Sequence, residues 1–153
     1  MRIPKPPKTE IERRDAYLKG AYGIGIDGYN QRFEEQNRAC GVCKEPPKEG
    51  KNLHVDHDHK WKYFKLETEK QPDKQWTSRL AEQQEEFCAK AYRNGYVGIG
   101  KTKSQAIKAM RQELKRLSVR GLLCFKCNTS IRKLYDNAII AENIAIYLKK
   151  HQY

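Results

Sequence analysis

Two C-x-x-C pairs constrain the fold of this chain more than any other feature of its sequence. They are Cys40 with Cys43 and Cys124 with Cys127, and residues 44–123 separate them. A C-x-x-C turn aims two thiolates at one ion, so two such turns complete the closed tetrahedral site of a structural zinc. The alternative is a pair of thioredoxin-like redox motifs. Since both pairs have ligand spacing, the sequence predicts a four-cysteine zinc site that holds two distant segments together.

The cysteines and the N-terminal residues indicate the cellular compartment in which the protein is expected. The chain has five cysteines, and an odd number without a secretion signal argues against a disulfide framework. The fifth, Cys88, is expected to be a small buried apolar side chain. The first residues, MRIPKPPK, contain no apolar segment of a signal peptide, and apolar runs such as 138–141 are too short to span a bilayer. We therefore expect a cytoplasmic protein with no membrane partner.

The charge of the chain points to a polyanion partner. Its 31 basic and 19 acidic residues give a formal net charge of +12. Such an excess favours nucleic acid first and an anionic membrane surface second. Residues 89–120 hold nine basic residues and one acidic residue, and so carry most of the excess. The expected DNA-binding side chains are Lys101, Lys103, Lys108, Arg111, Lys115, Arg116 and Arg120.

Local patterns predict the order of helices and strands. Helices are predicted over about 10–20, 28–37 and 138–150, and strands over 53–57 and 119–123. A further helix over about 128–136 would be capped by Asn128. The block 61–117 is predicted to contain a helix over 75–90, a hairpin that turns at Asn94-Gly95, and a basic amphipathic helix. A capping box formed by Thr102 and Gln105 would begin that last helix.

Residues 95–102, GYVGIGKT, satisfy the phosphate-loop pattern G-x-x-x-x-G-K-[ST]. A phosphate loop needs a buried parallel strand before it and a large α/β sheet around it. Residues 87–93 are half polar, and the block is too short for a nucleotide-binding domain. We therefore expect no nucleotide cofactor and assign these glycines to the hairpin and to the entry of the helix.

Three of the four histidines fall within residues 54–59, HVDHDH. On a strand, His54, Asp56 and Asp58 would share one face, and His57 and His59 the other. An exposed polar loop or a second zinc site would also account for the pattern. In the sequence this segment lies between the two C-x-x-C turns, each of which we call a knuckle. Titratable groups at this density are typical of a functional site.

The order of these motifs resembles the recombination endonuclease VII family within the HNH, or ββα-metal, nucleases. The order is C-x-x-C at 40–43, H-x-D-H-D-H at 54–59 and V-R-G-L-L-C-x-x-C-N at 119–128. Residues 22–43 resemble the family's entry helix and first knuckle, and the C-terminal helices resemble its closing elements. The implied fold class is α+β: a zinc-stapled ββα-metal nuclease core flanked by helices. An inserted helix–hairpin–helix block would lie between the two core strands.

The resemblance also implies a division of the chain. Residues 1–20 would form an N-terminal arm and helix, 21–60 the first half of the nuclease core, and 118–153 the second half with the C-terminal helices. The 57 residues 61–117 replace a short loop and form a basic insertion. We interpret this insertion as the DNA-binding element. The alternative is a solvated insertion that binds no dedicated partner.

The resemblance implies residue roles. Asp56 and Asn128 would hold a catalytic Mg²⁺ or Mn²⁺, while the four cysteines hold structural Zn²⁺. His57 would be the general base that activates water. His54 and His59 would contact or orient the scissile phosphate, with His59 as the reserve base. Ile131 stands where family members often have a glutamate, so the completion of the metal's coordination stays open.

The expected function is therefore a metal-dependent DNA endonuclease. The substrate suggested by the resemblance is branched DNA, such as four-way junctions or packaging intermediates in a bacteriophage, and a phage-encoded protein would act in the host cytoplasm. The insertion would also suit a nicking or homing enzyme. Two coordinated cuts would favour a homodimer. The alternative function is an inactive, zinc-stabilised nucleic-acid-binding module. Such a module would be expected to lose Asp56, His57 or Asn128, and all three are present.

Overall fold

A computed structural model of the chain describes residues 8–81 and 95–150. The chain divides into two compact units, each built from two stretches of sequence. Unit 1 comprises Met1–Arg32 and His57–Arg120, and unit 2 comprises Phe33–Asp56 and Gly121–Tyr153. Helices combine with a two-stranded and a three-stranded sheet, so the predicted α+β class is confirmed. No helix in the described ranges has both the length and the apolar character to cross a membrane.

Two helices open the described chain. Helix α1 spans Glu10–Tyr22 and helix α2 spans Ile26–Glu35. A capping box begins α1, because the Thr9 hydroxyl accepts from the Glu12 N–H while the Glu12 carboxylate accepts from the Thr9 N–H. Gly23, at φ 75°, ends α1 in the left-handed conformation that favours glycine. Both helices were predicted from the sequence, with ends shifted by a few residues.

The core of unit 1 lies between a small sheet and one helix. Strands β2 (Leu66–Lys70), β3 (Trp76–Leu80) and β4 (Gly98–Gly100) form an antiparallel sheet in that order. Helix α3 (Lys103–Leu117) packs against this sheet. The buried cluster contains Phe64, Leu80, Met110 and Leu114. Helix α3 therefore forms part of a hydrophobic core and is not only a surface element.

The predicted helix–hairpin–helix block is not confirmed. A helix beginning at 75 is wrong, because Trp76–Leu80 form β3 in full antiparallel register with β2. A turn over 71–75 joins the two strands, with Lys74 at φ 67° and the Gln71 N–H bonded to the Gln75 carbonyl. Pro72 and Asp73 are residues typical of such a turn. The rest of the predicted helix, to residue 90, and Asn94 of the predicted hairpin lie outside the described residues.

The predicted start of α3 is confirmed with one difference. The Thr102 hydroxyl accepts from the Gln105 N–H, as in a capping box. The Gln105 side chain, however, accepts from the N–H of Lys101 rather than from that of Thr102. The reciprocal bond of the box therefore reaches one residue further back along the chain.

Unit 2 contains residues 54–56 of one strand, residues 121–123 of a second and the helix that follows the second strand. Strand β1 (His54–His57) pairs with β5 (Val119–Leu123), and helix α4 (Phe125–Lys133) follows β5 after one residue. The final helix, α5, spans Ala138–Lys150 as predicted. Its apolar side chains are exposed, from 39% at Ile140 to 69% at Ile139. The buried side chains of unit 2 come instead from the knuckles and the two strands, and include Cys40, Leu53, Val55, Leu122 and Leu123.

Candidate functional site

The four cysteines of the two C-x-x-C pairs lie together. Their sulfur atoms all lie within 4.8 Å of one another, and the Sγ atoms of Cys43 and Cys124 are 4.0 Å apart. A tetrahedral zinc with Zn–S bonds of about 2.3 Å places its sulfurs about 3.8 Å apart. The observed cluster fits that geometry, so the predicted zinc site is compatible with the structure. Within 8–81 and 95–150, no other group of three or more histidine, cysteine or acidic residues is arranged to hold a metal ion.

The thiols of this cluster ionise unequally. Burial acts to raise the pKa of Cys40, but backbone N–H groups of Cys124, Val42 and Cys43 outweigh it and lower this pKa to about 6. Burial, together with the neighbouring thiols, raises the pKa of Cys127 to about 12. Four thiolates repel one another unless a cation lies among them, and a coordinating zinc ion removes the thiol protons outright. The donor set is therefore suited to a divalent cation that prefers sulfur.

Gln36 joins the first knuckle to β5. Its amide nitrogen donates to the carbonyls of Leu122 and Ala39, and its amide oxygen accepts from the Leu122 N–H. The Gly41 N–H also donates to the Leu122 carbonyl. This side chain thus satisfies the backbone of β5 as a neighbouring strand would. Sequence reasoning assigned Gln36 no role beyond its place in a resembling segment, since its partner lies 86 residues away.

Within unit 2, Asp56 lies on β1 and Asn128 in the first turn of α4, and both are half-buried. The prediction that Asn128 caps its helix is wrong. Cys124 is the N-cap, with its sulfur accepting from the Cys127 N–H, and Asn128 is the fourth residue of α4. The second C-x-x-C turn itself begins the helix, so the cap falls on a cysteine of the four-sulfur cluster rather than on Asn128.

Strand β1 ends at His57, so the predicted alternation of faces does not extend through residue 59. Asp58 caps a 3₁₀ turn, His59–Lys62, by accepting from the Lys60 N–H. In this turn the ring of His59 lies 4.3 Å from that of His57, although a strand would have placed the two rings further apart on one face. The two predicted candidates for the general base are therefore neighbours.

Tyr22, at the end of α1, also contacts His57. Its ring meets the His57 ring edge-on at 5.2 Å between centroids. Burial, together with the Tyr17 hydroxyl 3.4 Å away, raises the pKa of Tyr22 to about 12, so the phenol stays neutral near pH 7. The sequence pattern showed this tyrosine only as part of the entry segment and did not indicate the contact.

His54, at the start of β1, contacts Phe125. The ring centroids are 5.8 Å apart with planes tilted by 54°, and 68% of the Phe125 residue surface remains exposed. The x positions of a C-x-x-C knuckle carry no metal ligand, so Phe125 was not singled out from the sequence. An aromatic residue between the two cysteines of the second C-x-x-C pair is the signal that the sequence offered.

The seven basic residues predicted to bind DNA differ in their surroundings. Lys101, Lys103 and Lys108 are exposed at the start and on the outer side of α3. By contrast, both terminal nitrogens of Arg111 donate at 2.7 Å to the carbonyls of Trp61 and Phe64, and burial lowers the pKa of this guanidinium. Lys115 donates to the Gly20 carbonyl, and Arg116 is paired with Glu113. Arg120 is exposed on β5.

Comparison with known proteins gives one finding. A family model described as recombination endonuclease VII matches residues 15–150 of the chain. Neither the curated proteins nor the solved structures contain a match. The matched range includes both knuckles, the histidine-rich strand and the complete segment 61–117.

Proposed function

This chain belongs to the recombination endonuclease VII family, and from that membership we propose how it cuts DNA. As a family member it is an endonuclease, a hydrolase that acts on DNA. We propose that it is of the HNH type and hydrolyses a phosphodiester bond with a divalent cation, leaving a 3′-hydroxyl and a 5′-phosphate. The observation that carries this proposal is the family match over residues that contain Asp56, His57 and Asn128.

The cation would be held by Asp56 and Asn128. A carboxylate and an amide oxygen are hard ligands that suit Mg²⁺ or Mn²⁺, and both residues lie in unit 2. When bound, such a cation stabilises the charge that develops on the phosphorane and on the leaving oxygen. Ile131, one turn after Asn128 on α4, offers no ligand atom. Water and phosphate oxygens would therefore fill the remaining positions.

His57 would take the proton of the attacking water. An imidazole titrates near neutral pH, which suits a general base. Its neighbours support this role, since the neutral edge of Tyr22 and the ring of His59 restrict how the His57 ring can turn. His59, 4.3 Å away, is positioned as the reserve base or as a contact to the phosphate.

The four-cysteine site would hold structural Zn²⁺ and take no part in the chemistry. Four thiolate ligands leave no open position for water or substrate. The site instead joins the loop before β1 to the start of α4, and so fixes the two elements that carry Asp56 and Asn128. The cysteines thus support the geometry of the proposed cation site.

Two further proposals concern the substrate and the assembly. Branched DNA, such as a four-way junction, is the proposed substrate, with a nicking or homing site as the other candidate. Exposed apolar side chains on α5, from Ile139 to Leu148, favour a homodimer that makes two coordinated cuts. Sedimentation of the wild type and of Ile140→Asp/Ile144→Asp tests the dimer. A wild type that sediments as a monomer at every concentration would exclude it.

The decisive experiment compares cleavage of a four-way junction with that of plain duplex in Mg²⁺. We expect the wild type to cut the junction, and His57→Ala to lose roughly 10²- to 10⁴-fold in rate, as expected for removal of a general base. Tyr63→Ala, which changes an exposed aromatic residue outside the proposed site, is the control. Equal rates for His57→Ala and the wild type would overturn the assignment of the base. Failure of the wild type to cut any DNA with Mg²⁺ or Mn²⁺ would favour the inactive binding module.

A further inference from the structure

A cavity of about 370 Å³ lies beside the zinc knuckles in unit 2. Its lining includes the loop after the first knuckle, with Pro46 and Pro47, and the first residues of α4, with Phe125. The volume is in the range of sites that hold small organic groups. The four sulfur atoms alone would enclose a zinc ion, so a metal in the cluster would not account for this cavity.

Phe125 is the prominent apolar group at this cavity. It is the first residue of α4 and lies between two cysteines, and the Cys124 N-cap fixes the backbone on which its ring is mounted. The His54 ring contacts it, yet 68% of the residue surface faces solvent. An exposed ring on a rigid turn is a ready stacking surface, because little conformational freedom is lost when a flat group packs on it.

The charges around the cavity are mainly positive. Lys48, Lys51 and Lys126 line it and are exposed, while Glu45 is the acidic residue in the lining. In the part of the chain that the structure describes, none of these three ammonium groups has a carboxylate partner within 4 Å. An aromatic face surrounded by cations is complementary to a nucleotide, which has a flat base and an anionic phosphate.

We propose that this cavity binds one unpaired nucleotide of the DNA, with its base stacked on Phe125 and its phosphates near Lys48, Lys51 and Lys126. The inference rests on the proposed DNA substrate and narrows it. His54, whose ring contacts Phe125, lies two residues and so about 7 Å before Asp56 on β1, and Phe125 lies three residues before Asn128 on α4. The enzyme would therefore select DNA whose bases are unpaired next to the cut, and intact duplex would not fill the cavity.

Binding of a twelve-residue thymidine strand and of a twelve-base-pair duplex, measured by fluorescence anisotropy without Mg²⁺, tests the proposal. We expect Phe125→Ala to weaken binding of the single strand roughly 5- to 150-fold, the range for loss of one base–aromatic stack. Duplex affinity should change by less than about two-fold, because paired bases present no free face. Phe125→Trp should retain the binding of the single strand. In a strand that contains 2-aminopurine, the wild type and Phe125→Trp should quench its fluorescence and Phe125→Ala should not.

The matched control is Val42→Ala, which shortens an exposed apolar side chain of the first knuckle outside the cavity lining and should bind as the wild type does. Replacing all three lysines by glutamine should lower the dependence of single-strand affinity on salt concentration, expressed as a logarithmic slope, by about 2, at roughly 0.7 per phosphate contact.

The proposal is overturned if Phe125→Ala binds the single strand as tightly as the wild type, or if it loses duplex binding in equal measure. Phe125-dependent binding by a wild type that cuts no DNA would leave this inference standing and reject the proposed nuclease. Cleavage of DNA by a wild type whose binding does not depend on Phe125 would reject this inference and leave the proposed nuclease standing.

Discussion

Gly98 and Gly100 show how single residues of the GYVGIGKT segment are used. A Cβ added at Gly98 would overlap the Ala106 carbonyl and the Met110 nitrogen, and one at Gly100 would come within 2.6 Å of the Ala106 nitrogen. Both glycines therefore allow β4 to pack directly on the backbone of α3. The sequence predicted that these glycines serve the hairpin and the entry of the helix, and it did not indicate this close packing against α3.

We accordingly expect Gly98→Ala to lower the free energy of unfolding by about 1–3 kcal/mol, the usual cost of overpacking a core. Thermal or urea unfolding measures the effect. Gly20→Ala is the control, because nothing lies within 4 Å of a Cβ at this helical position. It should be neutral or stabilising by up to about 1 kcal/mol. Equal stabilities of Gly98→Ala and the wild type would contradict the close approach of β4 and α3.

At the scale of elements, α3 combines structural and exposed basic residues. Arg111 bonds two backbone carbonyls on the chain segment before β2, and Lys115 lies 5.2 Å from the centre of the Trp61 ring. Lys103 is exposed in the first turn of α3, and Lys108 is exposed on the side of the helix opposite the buried positions 106, 110 and 114. The DNA contacts of this helix are therefore proposed for the exposed lysines rather than for Arg111.

Two variants of α3 separate these roles. Lys103→Gln/Lys108→Gln should weaken duplex binding and lower its salt slope by about 1.8, at roughly 0.9 per phosphate contact, without a change in melting temperature. Arg111→Lys should leave the salt slope unchanged and destabilise the fold by about 1–3 kcal/mol, because an ammonium group cannot serve both carbonyls as the guanidinium does. Salt titrations of DNA binding and thermal melts measure the two effects. A smaller salt slope for Arg111→Lys would show that this residue contacts phosphate.

At the scale of the whole molecule, each unit has a different source of stability. The described part of unit 1 has an apolar cluster that includes Met110 and Leu114. Unit 2 has a few buried apolar side chains and the four-cysteine site. A core this small rarely stabilises a fold without a metal or a disulfide. The zinc is therefore expected to supply much of the folding free energy of unit 2.

Removal of zinc should consequently unfold unit 2. Structural zinc sites bind with about 10–16 kcal/mol, comparable to the whole stability of a domain. We expect a chelator to release one zinc per chain and to accelerate amide hydrogen exchange in β1, β5 and α4, while α3 stays protected. Added Zn²⁺ should restore protection and added Mg²⁺ should not. Unchanged exchange in unit 2 after measured loss of zinc would contradict a structural role for the metal.

Local patterns in the sequence were sufficient for the features that depend on near neighbours. The spacing within each C-x-x-C pair predicted the ligands of the four-sulfur cluster, and the helical period predicted α5 within its observed bounds. The Thr102 cap and the order of strand, strand and helix around the knuckles were also predictable. In each case the physical cause lies within a few residues: a turn that aims two thiolates, a hydroxyl three residues before an N–H, or an apolar period.

Only the tertiary structure decided features that depend on distant partners. Trp76–Leu80 have a pattern open to helix or strand, and pairing with β2 selects the strand because it satisfies the backbone and buries Leu80 in the core. Arg111 has the sequence character of a DNA contact, yet two carbonyls 47 and 50 residues away bind it. The contacts of Gln36 with Leu122 and of Tyr22 with His57 arise in the same way. The sequence alone thus determined which residues could bind metal and polyanion. The fold determined which of them face solvent, because burial and long-range hydrogen bonds are set by chain segments that no local pattern brings together.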